Sequence, residues 1–500
     1  MYKKRISGVL MPLSCINGDF GVGVMGREAV AFLEKLKRMG FSCWQVLPIG
    51  MTDQMNSPYC SCSAFAGNPV YIDPRELPEG LLTEAEIAEN AYHGSCYTAD
   101  YAYALEKRMK SLRIAFERAD EKLLEKVKKF ISENEYCRDF AIYMALKEKH
   151  DLAPWWEWGD EYKDYATAVK SVDSETEKEA LFQSFVQYIF YSQWGTLKAS
   201  AESMGIKTVG DMPIYVSLDS ADVWAHTPLF KLDEKTLKPK KVAGVPPDYF
   251  SADGQLWGNP IYDWDKMEKD GFRWWVDRIE FALKIYDTVR IDHFRALASY
   301  WEVDADAKTA KNGEWKQGPG MKLFDKVSEK LEAPSIVAED LGTFGEDVVK
   351  LLEDTGFPGM RVIQFGFDPN GDSTHLPHNY DRNCVAYVGT HDNNTLLGWL
   401  YEASPDERKF ALDYCGYKGN NWGDGGYHSE SCRSIVETVW KSSAYLAIIS
   451  FQDMCGFGSD ARMNRPGVAE GNWLYRAGKD AVDSVDEEYY KHINRLYRRS

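Results

Sequence analysis

Four acidic residues stand at or just beyond the ends of short apolar runs. "TVRIDHF" ends in Asp292, "IVAEDLG" in Glu339, "AYVGTHD" in Asp392, and "TVGDMPI" contributes Asp211. One such acid is as well explained by a strand-end cap or a salt bridge as by function. Four on one rim are harder to explain that way. Glycosidic-bond chemistry needs two carboxyls flanking the scissile bond, one to attack or act as base and one to protonate the leaving oxygen. Further acids can hold sugar hydroxyls and stabilise developing positive charge. Arg290 lies two residues before Asp292, hence on the same strand face. A cation there is expected to keep Asp292 ionised, as a nucleophile requires. His293 and His391 each neighbour an acid, although a lone histidine is more often a structural hydrogen-bonder.

The elements that must position these acids form a repeating pattern. Apolar, β-branched runs occur at 8–13, 41–49, 207–216, 287–294, 335–342, 360–367, 384–392 and 445–453. Amphipathic helices are expected between them, at 27–39, 274–286 and 345–356, the last with an acidic first turn and a glycine stop. Eight strands alternating with helices predict an α/β fold, a (β/α)8 TIM barrel with catalytic residues at the C-terminal strand ends. We read residues 1–500 as a single catalytic barrel. Residues 75–200 are expected to form a mainly helical insertion after strand 2. Residues 217–273, rich in Pro, Gly and aromatics, are expected to form a loop-rich insertion after strand 3 that covers the site.

The formal charge is −18, which argues against nucleic-acid and anionic-membrane partners. Aromatics make up 14% of the chain, which suits a large core or a sugar site. The basic start lacks a signal-length apolar run, because Pro12, Asn17, Gly18 and Asp19 break it. No stretch approaches the ~18 apolar residues of a membrane span. A cytoplasmic location and reduced cysteines are therefore expected. Cys60 and Cys62 form a Cys-x-Cys in "SPYCSCSAFAGNP" but have no nearby partners to complete a metal site, and no metal or cofactor is expected. "GVGVMG" at 21–26 matches a dinucleotide fingerprint but lacks the acid about 20 residues on, so it is rejected.

The motifs "VRIDHFR", "VAEDLG", "GTHDN", "GDMPIYV", "PPDYFSADGQLWGNPIYDW", "SPYCSCSAFAGNP" and "ARMNRPG" together resemble the amylomaltase family of 4-alpha-glucanotransferases, from about residue 7 to about 476. The resemblance implies no required metal and retaining transfer of alpha-1,4-glucan segments. It implies that Asp292 is the nucleophile, Glu339 the general acid and then base, and Asp392 a third acid stabilising the transition state. By the same motifs, Tyr59, Asp211, Arg290, His391 and Asn464 are expected to contact the sugar around the cleaved bond, and Ser57, on the Tyr59 loop, and His293, beside Asp292, are read as further substrate contacts. Asp248, Phe250 and Trp257 are expected in a loop over the acceptor side. A retaining pathway would put the two working carboxyls about 5–5.5 Å apart. Many relatives carry other residues where this chain has Cys60 and Cys62. Hydrolysis of alpha-glucans, or glucan binding without catalysis, stays open as an alternative.

Overall fold

The computed structural model describes residues 4–247, 251–342 and 345–500. Among them, eight parallel strands build the central sheet: β1 (Ile6–Leu10), β2 (Cys43–Gln45), β3 (Lys207–Met212), β4 (Thr288–Ile291), β5 (Ile336–Ala338), β6 (Gly359–Val362), β7 (Cys384–Tyr387) and β8 (Leu446–Ser450). Their hydrogen-bonded order is β6-β7-β8-β1-β2-β3-β4-β5. The two ends of this order meet where Ala338 N donates to Pro358 O at 3.0 Å. The sheet thus closes as a (β/α)8 barrel, as the eight apolar runs predict.

Each run carries one strand, and β4 and β5 stop directly before an acid, Asp292 and Glu339. Strands β5, β7 and β8 are buried along their whole length, because a parallel barrel strand packs side chains on both faces. Helices at Arg27–Arg38, Arg273–Ile285 and Glu346–Thr355 fall where the sequence puts them. The last has Glu346 and Asp347 in its first turn and ends on Gly356 at φ 65°, a left-handed conformation that glycine adopts without strain.

Between β2 and β3 the chain is largely helical, ending in the 30-residue helix Ser174–Ser203. That helix lies against the barrel, with Trp194 close to Trp44 of β2 and to Tyr286 before β4. It also fixes the loop after β2. Gln187 bonds both backbone groups of Gly67, and Gln193 both of Asp73, at 2.8–3.0 Å.

The segment 217–273 contains more order than a loop-rich reading suggests. Strands Lys241–Val245 and Gln255–Pro260 pair with Ser299–Asp304 and Gly313–Gln317, which follow β4. Together they make a four-stranded antiparallel sheet in the order 255–260, 241–245, 299–304, 313–317. "KVAGV" and "GEWKQ" are short and interrupted by Gly and charge, so neither gives a period-two signal on its own. No helix among the described residues is long and apolar enough to cross a membrane.

Candidate active site

The C-terminal strand ends and the antiparallel sheet enclose a cleft of about 1210 Å³. Asp292, Glu339 and Asp392 line it, together with Ser57, Tyr59, Trp257, Arg290, His293, His391 and Asn464. Asp211 lies directly behind this wall, bonded to Tyr59 and Arg290. Asp248 and Phe250 lie outside the described residues.

Arg290 and Asp211 face each other across the β3–β4 register. Arg290 Nη1 donates to both oxygens of Asp211, at 2.7 and 2.6 Å, while Nη2 sits 2.9 Å from Asp292 Oδ1. Arg290 and Asp211 are buried, at 4% and 0% exposure, and Asp292 opens to the cleft at 25%. The guanidinium is therefore shared between two acids. Burial pushes the Asp292 carboxyl well above the ordinary range, with Arg290 opposing and the neighbouring acids adding to the rise. This differs from the sequence expectation, in which Arg290 alone sets the charge of Asp292. The expectation did not include the cost of desolvation or the competing claim of Asp211.

Glu339 sits at the end of β5 and is held by main-chain donors. His293 N donates to Oε2 at 2.6 Å and Leu341 N to Oε1 at 3.1 Å. The first bond depends on His293 adopting a left-handed backbone, φ 46°, directly after Asp292. For a residue with a Cβ that conformation costs on the order of 1 kcal/mol. The kink turns the end of β4 toward the end of β5. Burial also raises the Glu339 carboxyl, with Arg290 and the two backbone donors opposing. Asp292 and Glu339 therefore form a pair that keeps a proton above the pH at which ordinary carboxylic acids lose theirs. Arg290 opposes the rise at both acids and contacts Asp292 directly, its Nη2 2.9 Å from Oδ1.

On the opposite wall, Tyr59 Oη donates to Asp211 Oδ2 at 2.8 Å and lies 2.9 Å from His391 Nε2. The single phenolic proton goes to Asp211, so His391 Nε2 carries the proton of the second bond. That nitrogen also lies 3.3 Å from Asp392 Oδ2. Burial lowers the His391 pKa, which keeps the ring neutral. Tyr59 stacks on His391 with centroids 5.2 Å apart. Asp392 is fixed from the far side by Asn464 Nδ2, which donates to Oδ1 at 2.6 Å, and by Arg462 Nη2, which donates to its carbonyl at 2.9 Å.

Ser57 lines the cleft and also shapes the turn before Tyr59. Its Oγ accepts from Tyr59 N at 3.3 Å and its own N–H bonds Asp53. Trp257, from the antiparallel sheet, packs edge-on against His293 at 4.7 Å. The cysteines of the same loop contribute little. Burial pushes the Cys60 thiol up to about 11 and Cys62 up to about 12, so neither is a ready thiolate. No group of three His, Cys, Asp or Glu among the described residues is arranged to hold a metal.

The family profile described as 4-alpha-glucanotransferase matches residues 11–480. The chain belongs to the 4-alpha-glucanotransferase family. A family member from Clostridium butyricum is 41% identical over 498 residues, covering 98% of this chain and 100% of its own. One from Thermus thermophilus is 43% identical over 477 residues, 94% of each chain. Among solved structures, the amylomaltase from Streptococcus agalactiae in complex with acarbose superposes with a TM-score of 0.94 at 38% identity. That match covers 99% of this chain and 100% of the other.

Within this family frame, sequence reading missed several residues at the cleft. Trp473 closes the wall behind Tyr59 and His391, at 5.6 and 5.8 Å. Asn472 shapes the preceding loop by accepting from Arg465 N and donating to Val468 O. Trp315 lines the cleft from the antiparallel sheet. "GNW" at 471–473 was the available signal for the first two, since it follows "ARMNRPG" in the same loop. Nothing local marks Trp315.

Proposed function

We propose that this 4-alpha-glucanotransferase transfers alpha-1,4-glucan segments by a retaining double displacement, with Asp292 as nucleophile and Glu339 as acid and base. The observation that carries this reading is the asymmetric pair: Asp292 next to Arg290, Glu339 next to backbone donors, both open to one cleft. In the first step the Asp292 carboxylate attacks C1 of a donor glucan. The C1–O4 bond breaks and Glu339 gives its proton to O4. The reducing-end fragment leaves, and a β-linked glycosyl ester remains on Asp292. In the second step the 4-hydroxyl of an acceptor gives its proton to Glu339 as its oxygen attacks C1. Asp292 is freed and the alpha bond is restored.

Asp392, held by Asn464 and close to His391, would bind sugar hydroxyls and stabilise the oxocarbenium-like state. Among the described residues Arg290 is the one cation ion-paired with Asp211 and Asp292, so the site retains negative charge to meet the positive charge that develops on the sugar. Tyr59, His391 and Asp211 would shape the pocket for the reacting sugar, and Trp257 would cover the acceptor side and limit water entry. The substrates on this reading are maltooligosaccharides and starch or glycogen chains. The ten free cysteines support work in a reducing cytoplasm.

Incubation with maltotriose tests the proposal. Transfer predicts glucose together with a ladder of longer maltodextrins. Glucose and maltose alone would mean hydrolysis, and an unchanged substrate would leave binding only.

A further inference from the structure

The antiparallel sheet presents a continuous row of residues that the proposed chemistry does not use. Directly paired residues of antiparallel strands project to the same face. Leu256 pairs with Gly244, Gly244 with Trp301, and Trp301 with Trp315. The next pair on that face is Ser299 with Gln317. Leu256, Trp315, Ser299 and Gln317 all line the cleft, as do their strand neighbours Gln255, Trp257 and Lys316, so this part of the sheet borders the cleft. Large apolar residues stay open on it: Leu256 is 39% exposed and Trp315 is 43% exposed.

Trp315 is held in place from two sides. The Arg295 guanidinium lies over its ring at 4.1 Å, and Trp301 meets it edge-on at 5.2 Å. Trp301 is itself anchored, its Nε1 donating to Ala310 O at 2.8 Å. A fixed indole that keeps an open surface is unusual in simple packing. Hydrogen-bonding groups stand beside it. Gln317 uses its amide N–H on Ala298 O, which leaves its side-chain carbonyl oxygen able to accept from a hydroxyl. An aromatic face flanked by a cation and an amide suits a pyranose, whose C–H face stacks while its hydroxyls bond at the ring edge.

The row also lies on a definite side of the reacting carboxyls. Arg295 stands two residues beyond His293, whose N–H donates to Glu339 Oε2 at 2.6 Å, and lines the same cleft as Glu339. A general acid stands beside the leaving oxygen, so the chain bound beyond Glu339 is the leaving fragment or the incoming acceptor.

We propose that Trp315, braced by Arg295 and Trp301, is a distal acceptor-side platform that stacks a glucose unit several residues from the reacting 4-hydroxyl and selects for long acceptors. This inference rests on the transferase reading above. An acceptor reacts through its non-reducing end, so its reducing end extends outward along the row. Glucose would be too short to reach Trp315, whereas a maltohexaose chain would reach it.

The test uses glucose and maltohexaose, each fluorescently labelled at the reducing end, with unlabelled starch as donor. The readout is the ratio of kcat/KM for the long acceptor over the short one. Trp315→Ala should lower that ratio about tenfold, the scale of one lost ring contact. Trp315→Phe, which keeps a flat ring, should restore part of it. An unchanged ratio, whether or not both rates fall together, overturns this inference alone. Wild-type enzyme that extends neither acceptor would overturn the transferase reading and this inference with it.

Discussion

The two walls of the cleft are built on different principles. The wall formed by Tyr59, His391, Asp392 and Asn464 is a closed hydrogen-bond network that runs back through Asp211 to Arg290. Tyr59 Oη, His391 Nε2, both Asp392 carboxylate oxygens and Asn464 Nδ2 each have a partner at 2.6–3.3 Å. The wall formed by the antiparallel sheet offers Leu256, Trp257 and Trp315, apolar surfaces with few polar bonds. A network of directed bonds fixes one position of one sugar ring. Exposed rings and aliphatic groups hold chains of variable length and register at modest cost in selectivity. The difference fits a transferase, in which the sugar attacked at C1 is always the same and the acceptor is not.

If that contrast is real, the largest loss short of the nucleophile should come from the directed wall. Asp392→Asn keeps the shape but removes the charge, and should lower kcat roughly 10²–10³-fold with little change in KM, as for removal of one preorganised transition-state contact. Steady-state kinetics on maltotriose would show it, and a loss confined to KM would contradict the role. Within the Tyr59 loop, Tyr59→Ala should cost far more activity than Cys60→Ser. Tyr59 bonds Asp211 and stacks on His391, whereas Cys60 has a protonated, inert thiol. A larger loss from the cysteine change would reverse our reading of that loop.

The apolar wall should respond in a different parameter. Trp257→Ala should raise the acceptor KM by about tenfold, the scale of a lost ring contact, with a smaller effect on kcat. An equal fall in kcat with unchanged KM would mean that the two walls do the same work. The smallest effect concerns stability. Asp292 has a folded-state pKa above its unfolded value. Its ionisation therefore opposes folding increasingly as pH rises from the unfolded pKa through the folded one. Asp292→Asn should then melt about 1–2 °C higher than wild type at pH 7 and show no gain near pH 3. Calorimetry at the two pH values would detect this, and a lower melting temperature at pH 7 would mean that the Arg290 contact outweighs burial.

Much of the directed wall was legible in the sequence because its residues sit on or next to barrel strands. Buried parallel strands read as apolar runs, so Asp211, Asp292, Glu339 and Asp392 stood out where those runs ended. Two features were not legible, for different reasons. The shared allegiance of Arg290 depends on the β3–β4 register, which no local pattern encodes. The antiparallel sheet joins strands on either side of β4, and two of them, Lys241–Val245 and Gly313–Gln317, are too short and too broken by Gly and Lys to show alternation. Trp315 gains its meaning only when that sheet turns it toward the cleft. The Cys-x-Cys, the most conspicuous local motif, turned out to flank the site through Tyr59 and not through its sulfurs.

The central claim is that Asp292 carries the sugar between donor and acceptor. Mass spectrometry of Glu339→Gln enzyme incubated with alpha-maltosyl fluoride tests it most directly. Fluoride needs no acid to leave, and without the Glu339 base the second step stalls. A maltosyl adduct should accumulate on the peptide containing Asp292 and be absent from the Asp292→Asn protein. An adduct on Asp392 or Asp211, or continued turnover by the Asp292→Asn protein, would contradict it.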